Sequence, residues 1–178
     1  MSPNYPAADT SAFPEASKTL LMFDILVYVF ENYLPEACPE PGALARKLSA
    51  VGFEEDDISE ALQWLAGLEQ AHDEAGFHRL PEAGTHRLYD DEEMVRLSAQ
   101  CRGFLCFLEQ ADAIDATIRE LIVERAMAVD GDENGTLSLA KFKVIVLMVM
   151  WRRQLSLDNL VFEDLLAEDE DDARPLMH

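Results

Sequence analysis

From Met22 onward, apolar residues recur at helical spacing. Phe23, Leu26, Val27 and Phe30 fall at i, i+3, i+4 and i+7, and Asn32 to Pro35 closes the segment. A second helix is expected after Pro41, with Leu44, Leu48 and Val51 inward and Arg46 and Lys47 outward. Gly52 followed by Phe53 reads as its stop, because glycine accepts the left-handed position and the next apolar residue packs back. A third helix is expected from about Glu55 to Gln70, with Ile58, Ala61, Leu62, Leu65 and Leu68 on one face. Its first turn, Glu54 to Asp57, places four carboxylates at the positive end of the helix dipole.

Two short apolar-polar runs follow, Phe77-His78-Arg79-Leu80 and His86-Arg87-Leu88-Tyr89, on either side of Pro81-Glu82-Ala83-Gly84-Thr85. Such runs around a proline and glycine turn predict a β-hairpin. Three helices and a hairpin form the element order of a winged helix, with the hairpin as the wing.

Beyond the hairpin the helical period returns. Asp90 with Glu93 forms a capping box, and Met94, Leu97, Cys101, Phe104, Leu105 and Leu108 predict one long helix to about Gln110. Asp115 caps the next, which turns Ile118, Leu121, Ile122 and Val129 inward. Leu139 to Trp151 is apolar nearly all round, the pattern of a central helix, and Ser156 begins a last helix through Leu166. The expected fold class is mainly α: a winged-helix-like unit over residues 22–89 and a helical bundle over 90–168. Residues 1–21, rich in proline and small polar residues, and 169–178, which carries most of an acidic run from Glu168 to Asp172, are expected to be disordered flanks.

Composition agrees with a folded body of ordinary size: 178 residues, 49% apolar, with nine Phe, four Tyr and two Trp. Charge changes the picture more. Thirty-five Asp and Glu against 14 Lys and Arg give a net charge of -21, a surface that repels phosphate backbones and anionic lipid and favours basic partners. Cys38, Cys101 and Cys106 make no C-x-x-C pair, so reduced thiols in the cytoplasm are expected rather than disulfides or zinc. The apolar run Val144 to Trp151 is eight residues, well short of the roughly 20 a membrane span needs. The first residues lack the basic start of an export signal.

One stretch imitates a metal site. Asp130, Asp132, Asn134 and Thr136, with Gly135 between them, match positions one, three, five and seven of a calcium-binding EF-hand loop and its glycine at six. Position twelve requires a bidentate glutamate and is Lys141. The same residues make a polar turn between helices, capped by Ser138, and the lysine favours that reading.

For contacts with a partner, the candidates are Arg46 and Lys47 on the second helix, Arg79 and Arg87 on the wing, and Arg102. As a winged helix the chain would place its third helix against DNA, but the carboxylates of that helix's first turn oppose it. Gly103, beside Arg102, is costly in mid-helix by about 1 kcal/mol against alanine, which suggests close packing there. No His pair has metal-ligand spacing, and no nucleophile elbow or phosphate-binding glycine loop occurs.

Met22-Phe23-Asp24-Ile25-Leu26, Phe30-Glu31-Asn32-Tyr33, Ile58 to Leu65, Cys101-Arg102-Gly103-Phe104-Leu105 and Phe107-Leu108-Glu109-Gln110 together resemble the Smg family of bacterial proteins, and Lys141 to Trp151 also fits. The resemblance covers about residues 22 to 168. Family members usually begin at the Met-Phe-Asp found here at 22, which implies that residues 1–21 are an extension. It brings no enzymatic activity, cofactor or catalytic residue, and it implies a cytoplasmic bacterial protein, often encoded near DNA-processing genes. The expectation is a protein without catalysis or cofactor that binds another protein, with nucleic-acid binding through the wing and weak calcium binding at the Asp130 loop as alternatives. No membrane partner is expected.

Overall fold

The computed structural model describes residues 15–74 and 87–155. Its helices are α1 (Glu15–Asn32), a 3-10 turn at Pro35–Ala37, α2 (Pro41–Val51), α3 (Glu55–Glu74), α4 (Asp91–Arg96), α5 (Ala99–Gln110), α6 (Ala116–Met127) and α7 (Leu139–Arg152). The protein is mainly helical, and no β-strand occurs among the described residues. α1 starts at Glu15 rather than at Met22, directly after Pro14.

α7 is the hub. Phe142 and Ile145 to Met150 are buried, so the helix needs neighbours on every side, and it packs on α1, α5 and α6. α3 covers α1, α2 and α6. One apolar core therefore draws on both halves of the chain, from Ile25 and Leu26 through Leu48 and Leu68 to Leu105, Ile122 and Met148. Polar contacts tie the same halves. The Trp64 indole donates to the Arg125 carbonyl at 3.2 Å, and the Trp151 indole donates to the Tyr33 carbonyl at 3.1 Å. At the first of these crossings the Arg125 guanidinium lies against Gly67, and a Cβ there would push that side chain aside.

Helix ends follow their sequence signals. Asp115 and Ser138 accept from the backbone N–H groups of Ile118 at 2.8 Å and Lys141 at 3.4 Å, and the Asp90–Glu93 capping box is formed. Three helices end in a Schellman motif, with a left-handed residue followed by one whose N–H reaches back to the last turn. At α2 these are Gly52 (φ 116) and Phe53, which donates to the Leu48 carbonyl at 3.2 Å. At α5 they are Asp112 (φ 54) and Ala113, and at α7 Gln154 (φ 52) and Leu155.

Three expectations are corrected. The single helix from Met94 to Gln110 is two helices, since Leu97 is extended and bridges to Leu137 while Ser98 caps α5. The side chain of Ser98 accepts from the Cys101 N–H at 3.2 Å, and the Leu137 N–H donates to the Arg96 carbonyl at 2.8 Å. Val51, expected inward, is 53% exposed, because the Gly52 turn delivers Phe53 to the core surface in its place. The winged helix finds no support: Arg87 to Tyr89 are not strand, and they lead into the α4 capping box. The other half of the expected hairpin, with Arg79, lies outside the described residues, as do the helix expected at Ser156 to Leu166 and the acidic run after it.

The left-handed residue at Asp112 sets a test. Asp112→Gly removes the backbone penalty and a carboxylate from the negative end of the α5 dipole, and should stabilise the protein by about 0.5–1 kcal/mol in urea unfolding. Asp112→Asn, which changes only charge, should recover a smaller part, and an unchanged midpoint for glycine would contradict the assignment.

Candidate functional site

The candidate site is the lead-in to α4 where it meets α5 and α6. Arg87 forks between two carboxylates, pairing with both oxygens of Glu93 at 2.7 Å and, through Nε, with Glu120 at 2.8 Å. Its guanidinium also lies 4.7 Å from the Tyr89 ring centre. Arg119, 5% exposed, pairs with Glu109 at 2.6 Å and with Glu120 at 2.9 Å. A chain of ion pairs thus runs from Glu93 on α4 through Arg87, Glu120 and Arg119 to Glu109 on α5.

The pairing shifts the acids and bases in opposite directions. Hydrogen bonds from Arg87 hold the Glu93 carboxyl below its ordinary value. Burial pushes the Glu120 carboxyl up, but the hydrogen bonds from Arg87 and Arg119 outweigh it and the net shift is downward. The hydrogen bond to Glu93 raises Arg87 further, so it stays charged at every accessible pH. Burial raises the Tyr89 phenol, leaving it neutral at physiological pH.

Arg102 serves the joint between α4 and α5. Its Nη1 donates to the Leu97 carbonyl and, at 3.4 Å, to that of Met94, satisfying the last carbonyls of α4. The Tyr89 ring lies 5.9 Å away, between Arg102 and Arg87. The close packing expected at Gly103 is absent: a Cβ there would meet nothing within 4 Å. Around this frame Leu88 is 90% exposed, and Met94, Val95 and Phe107 also stand in solvent.

The loop that imitates a calcium site docks on the far side of α4. An Asp132 carboxylate oxygen accepts from the N–H groups of Asn134 and Thr136, each at 2.9 Å, and the Thr136 hydroxyl donates to the Val95 carbonyl at 3.0 Å. The loop residue Gly135 takes the left-handed conformation (φ 77). Lys141, at position twelve, lies 5.7 Å over the Phe23 ring. Two of the four supposed ligands therefore already organise the turn, and among the described residues no group of three or more His, Cys, Asp or Glu could hold a metal ion.

Of the remaining predicted contacts, Arg46 is exposed on α2, and Lys47 sits 5.3 Å over the Tyr33 ring. They share neither an element nor a cluster with Arg87 and Arg102. Sequence reasoning missed Arg119, Lys143 and Asp57, all buried. Arg119 carried a readable signal, since it falls on the inward stripe three residues before Ile122 and seven before Ala126. Lys143, 5.8 Å over the Phe104 ring, carried none.

A protein-family model described as "Protein of unknown function (DUF494)" matches residues 22–174. The chain is 53% identical over 158 residues to the "Protein Smg homolog" of Azoarcus sp. (strain BH72), covering 88% of this chain and 100% of that protein. Proteins of the same name from Bordetella petrii and Herminiimonas arsenicoxydans are 45% and 42% identical, over 87% and 88% of this chain and 99% and 100% of theirs. No solved structure matches. No helix among the described residues is long and apolar enough to cross a membrane.

The ion-pair chain predicts an acid limb. Glu93 and Glu120 titrate below 4.5 in the folded chain, so their contribution is complete above that pH and is lost as pH falls through the folded values. Arg87→Met should lower the urea midpoint at neutral pH and flatten its fall below about pH 4.5, and equal slopes in both proteins would count against the network. Arg119→Ala, which leaves Glu109 and Glu120 partly exposed and Glu120 still paired with Arg87, should cost about 1–2 kcal/mol at neutral pH, through lost pairing and packing.

Proposed function

The chain belongs to the Smg family, and from that premise we propose that it acts without catalysis in the cytoplasm as a protein-interaction module that docks its partner on the outward side of α5. The observation that carries this reading is the character of that side. Ala99, Gln100, Gly103, Cys106, Phe107 and Gln110 are all exposed, and none is charged. On a chain of net charge -21 an uncharged helix face is where a second protein can approach without opposing like charge. Leu88 and Met94 are also exposed, and four of the six large exposed hydrophobic residues among the described ones fall between residues 88 and 107.

Gly103 acquires a reason on this reading. It costs helix stability of about 1 kcal/mol, and no side chain of its own fold needs the space. A partner helix or loop can approach the α5 backbone closely there. The nucleic-acid alternative is weaker, because Arg87 is held by two carboxylates and Arg102 by backbone carbonyls, which removes both from phosphate contact.

Crosslinking and affinity purification from the native cell test the proposal, with the wild type compared against Gly103→Glu and Phe107→Asp. Both positions are solvent-exposed, so both variants should keep the wild-type circular dichroism. Specific crosslinked partners should be lost in both. Retention of the same partners would reject α5 as the docking face, and a salt-steep mobility shift with DNA would reject the protein-only reading.

A further inference from the structure

A second apolar surface lies away from α5, which contributes no residue to it. A groove of about 370 Å³ runs along the end of α7, walled by Phe30, Leu34, Leu147, Met150, Trp151 and Leu155. Leu34 stands 71% exposed at its rim. We propose that residues 156–166 of this same chain fill the groove, inserting Leu157, Leu160, Val161 and Leu165.

Chain direction is the first support. The Schellman motif at the end of α7 turns the backbone at Gln154, and the Leu155 N–H donates back to the Met150 carbonyl at 3.1 Å. The chain thus leaves α7 sideways, at the groove wall, rather than along the helix axis. Gln154 is held in place by its own side chain, whose amide donates to Glu36 at 3.0 Å. A left-handed residue other than glycine is costly, and here it aims the following segment.

Reach and pattern agree with direction. Leu155 is itself a groove wall, so the segment that starts at Ser156 is tethered at an effective concentration on the order of millimolar or higher, and an unlinked occupant must compete with it. Leu157, Leu160, Val161 and Leu165 fall at i, i+3, i+4 and i+8, the spacing of one apolar stripe, with Asp158, Asn159, Glu163 and Asp164 between them and Phe162 and Leu166 adding apolar surface. The family match runs on to residue 174 and so spans both the groove residues and this segment.

Charge gives an independent observation. Arg153, one residue before the turn, keeps Nε and Nη2 buried without a hydrogen-bond partner. A buried guanidinium without acceptors is costly. The proposed segment supplies carboxylates at Asp158, five residues on, and at Glu163 and Asp164, ten and eleven residues on.

Hydrogen exchange with mass spectrometry on the full chain tests the proposal. Amides of residues 156–166 should exchange at least about tenfold more slowly than open-chain rates, independent of protein concentration. Leu34→Asp, at the exposed rim, and Leu160→Asp, in the segment, should each abolish that slowing while leaving the circular dichroism of the helical body intact. Open-chain exchange in the wild type overturns the proposal. So does slowing that survives Leu34→Asp, because the segment then docks elsewhere. Slowing that grows with protein concentration also overturns it, since a second copy's segment would then occupy the groove. None of these readouts depends on the α5 face.

Discussion

A helix with no polar side has to be covered on every side, and α7 is such a helix. Seven consecutive or near-consecutive apolar side chains, Phe142 and Ile145 to Met150, are buried on it. Burying each one contributes about 1.5–3 kcal/mol, a gain no single neighbouring helix could secure. α1 reaches it from the start of the described chain and α6 from just before it, and α5 closes a third side. The remaining elements are placed by that requirement: α3 packs over α1 and α6, and α2 packs over α3.

This arrangement leaves the joint between α4 and α5 as the place where polar chemistry gathers. Leu97 must enter the core and so breaks what would have been one helix, which frees carbonyls at the end of α4. Arg102 occupies those carbonyls, and Arg87 and Arg119 lock the joint with three glutamates. The protein has only 14 Lys and Arg, and several of them are spent inside this frame. Around this joint, the outward face of α5 carries no charge. The absence of cations there is a consequence of how the joint is held.

Local signals were legible in the sequence, and long-range ones were not. Asp90, Asp115, Ser138 and Gly52 announced their helix ends because capping depends on a few adjacent residues. The apolar period located much of the core, including Leu26, Leu48, Ile58 and Ile122, because burial repeats with the helix turn, but it missed Ile25 and Val29 on α1. The break at Leu97 was hidden, since its cause is Leu137, forty residues away, and the period of Met94, Leu97, Cys101 and Leu105 reads through it. The candidate site was half legible. Arg87 and Arg102 were singled out as cations free to meet a partner, but only the fold shows Glu93, Glu120 and the Leu97 carbonyl in their way. The uncharged face of α5 was not noticed, because it is defined by what the other faces carry.

If α7 is the shared core, the segments 22–89 and 90–155 cannot unfold separately. Trp64 reports on the first and Trp151 on the second, each tied to the other half through its indole hydrogen bond. The direct measurement is urea unfolding followed by the fluorescence of each tryptophan, in Trp64→Phe and Trp151→Phe proteins, alongside far-ultraviolet circular dichroism. Within each protein the fluorescence and dichroism curves should superimpose in one transition. Two separated transitions, with one tryptophan exposed while the helices around the other persist, would contradict a common core.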